Sequence, residues 1–212
     1  MKTTILLKKF FIDEKEFITS DELREYCNSF NLDYGNVLKY FLSRGYLLRI
    51  FKGIFYIRNL DELRFGRTKY NRLKLVSKGL ELKGVKNWYF GLHTALKFNN
   101  MTHVYFNIDD VLSENLFRAK PIEINHRKYK FTKLKPDLLG FGIIEKNGFR
   151  YSDPEKTILD FAYLWVYNSI PEKIISNSIE EFMGHHSVSK DKLKDYVEHY
   201  PNKVRELVGK CI

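Results

Sequence analysis

At 212 residues the chain can bury a real core, as one large domain or two small ones, and 44% hydrophobic with 16% aromatic content excludes a largely disordered protein. Cys27 and Cys211 lie far apart, with no CxxC or Cys/His spacing, which excludes a disulfide framework and a zinc site and fits a reducing cytoplasm. The net charge of +10 is unevenly spread: residues 1–100 hold 19 Lys and Arg against 10 Asp and Glu, and the rest hold 17 against 16.

The opening MKTTILLKKFFI reads as a first helix. Lys8 and Lys9 break its apolar run short of a signal segment, and no cleavage site of small residues follows. Nowhere is there an apolar run of about 18 residues, the length of a membrane span, so a soluble protein without a membrane partner is expected.

Residues 18–58 are the most legible. Thr19 with Glu22 three positions later has the pattern of a capping box, with Ser20 the alternative cap, and Leu23, Tyr26 and Cys27 give the helix that follows one apolar stripe. After a short turn, Asp33 caps a second helix with Val37, Leu38, Phe41 and Leu42 on its buried side and Gly45 at the left-handed position beyond its end. Tyr46–Ile50 and Ile54–Arg58 then flank Phe51-Lys52-Gly53, where the glycine supplies the positive φ of a hairpin. The expectation is a winged helix-turn-helix over residues 1–62.

A second helix lying in a DNA major groove would present Tyr34, Asn36, Lys39, Tyr40, Ser43 and Arg44. Asn36 suits an adenine edge, and Lys39 and Arg44 suit phosphate or guanine. Lys52 at the hairpin tip, with Arg49 and Arg58 on its strands, suits the backbone or the minor groove. Residues 64–86 continue with Arg64, Arg67, Lys69, Arg72, Lys74, Lys78, Lys83 and Lys86 against the single acid Glu81, a stretch attracted to phosphate. Arg64, Arg67 and Lys69 join the candidate DNA contacts. The other reading of all these residues is an ordinary solvated face, because winged helices also bind proteins.

Residues 63–86 are expected to be a basic connecting helix or the start of a second domain, and residues 87–212 a mixed α+β domain ending in helices. Helices are expected over Lys69–Leu82 and Trp88–Phe98, with His93 structural. Strands are expected near 103–108, 121–126, 128–133, 139–145 and 148–152, and Asp109-Asp110 is expected to cap or precede a helix at Val111. In YSDPEKTILD, Asp153 caps a helix, Pro154 fills its first position, and Asp160 partners a backbone group or a basic neighbour. Pro171–Met183, Lys190–His199 and Asn202–Lys210 follow as helices, with His185-His186 in the linker before the second. The fold class is α+β.

Three of these pieces resemble a known family, the AbiEi-type antitoxins of type IV toxin–antitoxin systems. They are the winged helix ending in RGYLLRIFKGIFYI, the segment NWYFGLHTALKFNNM, and the corner YSDPEKTILDFAY with its terminal helical stretch VSKDKLKDYVEHYPNKVRELV. The resemblance implies a repressor that binds an inverted repeat of double-stranded DNA in its own promoter and counters a nucleotidyltransferase toxin, without implying contact with that toxin. A monomer or weak dimer that pairs on DNA is expected, since no coiled-coil heptad is present.

Enzymatic readings find little. Pro136-Asp137 with Glu145-Lys146 has the wrong spacing for a PD…(D/E)xK nuclease, because adjacent residues on a strand point to opposite faces. No glycine-rich phosphate loop and no Gly-Ser dipeptide of a nucleotidyltransferase occurs, so no catalytic residue, metal or cofactor is expected. The alternative to an antitoxin is a winged-helix module that binds nucleic acid or protein without regulating an operon.

Overall fold

The computed structural model describes residues 2–184 and 188–212. The chain divides into two units: residues up to Lys86 together with Ile124–His126, and Asn87–Glu123 together with Arg127–Ile212. Helices and sheet occur in both, which makes the fold α+β. Among the described residues no helix is long and apolar enough to cross a membrane.

In the first unit, α1 (Lys2–Ile12) buries Leu6, Leu7 and Phe10. After β1 (Phe17–Thr19), the Thr19 side chain accepts from the Glu22 amide at 3.2 Å while the Glu22 carboxylate takes the Thr19 amide at 2.7 Å, which starts α2 (Ser20–Ser29). Asp33 opens α3 (Tyr34–Ser43) by accepting from the Asn36 amide at 2.8 Å, and Gly45, at φ +74°, follows its C-terminal cap Arg44. The chain then forms β2 (Leu47–Phe51) and β3 (Ile54–Ile57), turning at Gly53 with φ +80°.

Strand β3 is central and antiparallel to both β1 and β2. One sheet face closes the core with Leu6, Phe10, Leu23, Cys27, Val37 and Phe41, contributing Leu47, Phe55 and Ile57. This is the winged-helix arrangement.

Two features of residues 59–86 differ from the expectation. A short helix, α4 (Leu60–Phe65), follows the wing, opened by a second capping box between Asn59 and Glu62. The basic helix, α5 (Arg72–Leu82), starts at Arg72 rather than Lys69, because Asn71 caps it while Lys69 and Tyr70 are held by Glu16. Nor is it a connector or the start of a second domain: it packs on β2 and β3 within the first unit. Gly79 permits that approach, since a Cβ there would lie 2.5 Å from Ile50 Cγ2.

The chain continues with β4 (Trp88–Phe90), α6 (Leu92–Phe98), β5 (Ile108–Ser113), β6 (Ile122–Ile124), β7 (Arg127–Lys133), a 3-10 turn at Pro136–Leu138, β8 (Ile143–Lys146) and β9 (Phe149–Ser152), all in the second unit but for Ile124. The sheet order is β6-β7-β5-β4-β9-β8, mixed in direction: β5 runs parallel to β7, and β4 parallel to β9. Helices α7 (Pro154–Tyr167), α8 (Glu172–Met183), α9 (Lys190–Val197) and α10 (Asn202–Gly209) follow, and α7 brings Ile158, Leu159 and Ala162 into a core with Ile175, Ile179, Leu193 and Val204.

Three expectations are corrected here. The helix expected from Trp88 is a strand up to Phe90 and a helix only from Leu92, because Trp88, Tyr89 and Phe90 are buried on both faces of a mid-sheet strand. The strand expected at 103–108 lies instead at Ile108–Ser113. Asp109 and Asp110 cap no helix; they are buried within that strand, with Asp109 held by Arg127 and Asp110 by His93 and Thr94. Asp153 and Pro154 open α7 as expected. The His185-His186 linker falls outside the described residues.

Candidate nucleic-acid interface

Helix α3 turns Val37 and Phe41 inward and leaves Asn36, Lys39, Tyr40 and Ser43 outward, at spacings of three and four that put them on one face. Arg44 at the helix end extends this face, its guanidinium 5.9 Å from the Tyr40 ring centre. The face carries an amide, a hydroxyl, a phenol and two cations, the mixture that meets base edges and phosphates.

Two wing residues share the exposed character of that face. Arg49 lies opposite Phe55, on the sheet side that packs against the helices, with its guanidinium over that ring at 5.7 Å. Lys52 is exposed at the hairpin tip. That tip is held in place, since the Ser20 amide donates to the Gly53 carbonyl at 2.8 Å.

The other candidate contacts divide. Arg64 and Arg67 are exposed. Tyr34 is half-buried and internally engaged: its hydroxyl donates to Ser20 Oγ at 3.0 Å and Arg24 covers its ring at 4.6 Å, tying α2 to α3. Arg58 is half-buried, its Nε without a hydrogen-bond partner. Lys69 forms an ion pair with Glu16 and gives its amide to Glu62. That pairing holds the Lys69 ammonium pKa above its ordinary value. Tyr34 and Lys69 therefore serve the fold first, and residue type alone gave no sign of it. Beyond α4, Lys78 pairs with Glu81 at 2.8 Å, so the basic helix offers less free charge than its composition implies.

The second unit has two polar clusters of its own. On α7, Lys156 is fully buried; its ammonium donates to Asp160 at 2.8 Å and to the Tyr200 hydroxyl at 3.0 Å, beneath the rings of Phe141 and Tyr89. Asp160 also accepts from the Tyr89 and Tyr200 hydroxyls at 2.6 and 2.7 Å. Burial lowers the Lys156 pKa and raises those of both tyrosines. With no opening to solvent, this cluster is a structural tie between α7, β4 and the segment before α10. At the other end of the sheet, Arg127 makes two bonds to Asp109, at 2.7 and 3.0 Å, and His93 Nδ1 lies 3.1 Å from Asp110. Among the described residues no group of three or more His, Cys, Asp or Glu could hold a metal ion.

Set against described protein families and curated proteins, the sequence matches none. Among solved structures, the crystal structure of the RV2827C protein from Mycobacterium tuberculosis is similar, with a TM-score of 0.62 at 9% identity over 99% of this chain and 75% of that one. At that identity the likeness is one of fold: both chains share an α+β architecture.

Proposed function

We propose that the chain is a cytoplasmic, non-enzymatic DNA-binding antitoxin of a type IV toxin–antitoxin system. It represses its own operon by placing α3 in the major groove of an inverted repeat, and it counteracts a nucleotidyltransferase toxin without a cofactor. The observation that carries the DNA-binding part is the single exposed face of Asn36, Lys39, Tyr40, Ser43 and Arg44, flanked by Arg49 and Lys52 of the wing. The antitoxin part rests on the resemblance of the winged helix, the NWYFGLHTALKFNNM segment and the SDPEKTILD corner to the AbiEi-type family.

The test is a gel shift with the DNA upstream of the protein's own coding region against a scrambled duplex at about 150 mM salt, where phosphate attraction alone is weakened. Wild type should prefer its own DNA, and Asn36→Ala should lose much of that preference while still binding duplex, because a base-edge contact specifies and a phosphate contact does not. Equal binding to both duplexes by wild type would contradict the repressor reading and favour a module without operon specificity.

A further inference from the structure

The near-neutral charge of the C-terminal half conceals a strongly basic stretch: from Arg118 to Lys135 seven Lys and Arg stand against Glu123 alone. Within it β7 alternates, sending Tyr129 and Phe131 inward and Lys128 and Lys130 to the opposite face. Register pairs Ile108 with Lys128 and Asp110 with Lys130, so Lys130 shares its sheet face with Asp110 and with His93 of α6.

On that face lies a cavity of about 310 Å³, walled by Phe106, Ile108 and Pro121 and furnished with His93, Asn107, Asp110 and Lys130. Its polar groups are of both kinds. The Asn107 amide donates and accepts, Lys130 donates, and Asp110 accepts. Because Asp110 engages His93 Nδ1, Nε2 is left as the ring nitrogen available to a ligand.

Large aromatic rings stand in the open beside it. Tyr105 is 72% exposed, with Lys97 and Arg127 at 4.8 and 5.3 Å from its ring centre. Lys97 also reaches Phe106 of the cavity wall, at 5.8 Å. Phe117 is 54% exposed, with the cavity's own Lys130 at 6.0 Å. Exposed rings interleaved with cations form a stacking platform with phosphate partners alongside.

We infer that this face of the second unit is a binding site for single-stranded nucleic acid, with an unpaired base in the cavity, neighbouring bases stacked on Tyr105 and Phe117, and the backbone on Lys97, Lys128 and Lys130. A duplex offers no free base faces for the rings, since its bases already stack on one another. A phosphorylated peptide would bring its negative charge to a cavity that contains the Asp110 carboxylate, whereas the exocyclic amine or ring N–H of a base gives that carboxylate a donor. This site is independent of α3 and of the reading proposed above.

The experiment is fluorescence anisotropy of the full chain with a labelled ten-nucleotide RNA, the DNA strand of the same sequence, and its duplex, at about 0.1 M salt. Wild type should bind the single strands. Tyr105→Ala and Phe117→Ala should each weaken strand binding by about tenfold and leave duplex binding unchanged, while Lys39→Ala/Arg44→Ala leaves strand binding intact. Phe117→Ala disturbs no buried pair, and Tyr105→Phe controls for the hydroxyl bonded to Arg127, so a folding defect is separable from a lost stack. Preference for RNA adds a contact to the 2′-hydroxyl, and equal affinity assigns binding to base and phosphate alone; both support the site. No strand binding by wild type, ring variants that bind normally, or ring variants that lose strand and duplex alike would overturn it.

Discussion

Lys156 is fully buried, and its charge is stabilised by the Asp160 carboxylate, the Tyr200 hydroxyl and the faces of three rings. Removing one partner of such a pair strands the other charge in the interior. Lys156→Met should therefore cost about 3–5 kcal/mol of unfolding free energy, and Lys156→Met/Asp160→Leu less than the sum of the single changes. Urea denaturation of the four proteins of that cycle checks this; additive losses would mean the two residues act separately. The sequence made part of the cluster readable, because Lys156 and Asp160 are four apart on a helix whose cap and first proline are explicit. Tyr89 and Tyr200 come from 71 and 40 residues away, and no local pattern could have joined them to Asp160. The same limit applied to Tyr34 and Lys69, whose partners Ser20 and Glu16 became visible only in three dimensions.

At the scale of the element, the winged helix was legible because its turns are set by local chemistry: two caps, a left-handed Gly45 and a hairpin Gly53 are all short-range. The Thr19–Glu22 box makes this testable. Burial alone would raise the Glu22 pKa, but hydrogen bonds from Lys15 and from Thr19 outweigh it and hold the carboxyl below its ordinary value of 4.5. A depressed carboxyl contributes stability that is present above its unfolded value and lost as pH falls through its folded one. Thermal melts between pH 6 and 3 should show wild type losing stability below about 4.5, and Glu22→Gln should show a shallower loss over the same window. An unchanged slope would mean that the box contributes nothing to acid sensitivity.

Elements of the second unit were less readable for a different reason. Trp88, Tyr89 and Phe90 are buried on both faces of the sheet, so the alternation that marks a strand is absent and the helical spacing of Trp88, Leu92, Ala95 and Leu96 misleads. Asp109 and Asp110 look like capping residues by type, and sit within a strand only because Arg127, Thr94 and His93 satisfy them from other elements.

Over the whole molecule, charge is the quantity that sequence averaging both revealed and hid. The excess of the first hundred residues pointed to the winged-helix unit, but individual cations there, such as Lys69 and Lys78, are held by Glu16 and Glu81. The basic stretch from Arg118 to Lys135 vanished into a neutral half because Asp109, Asp110 and Glu114 just before it and a slight acidic excess after it offset it, and a count over shorter windows would have exposed it. Each unit closes a core of its own, the first around Phe10, Leu23, Phe41 and Phe55 and the second around α7. The DNA binding proposed above belongs to the first of these units, on the outward face of α3.

The most direct test of that claim compares Lys39→Ala/Arg44→Ala with Lys69→Ala by anisotropy titration on the upstream duplex at a single fixed salt concentration. The α3 variant should lose roughly tenfold or more in affinity and Lys69→Ala should change little, since Lys69 already pairs with Glu16. Equal losses in the two variants, or none in the α3 variant, would contradict it.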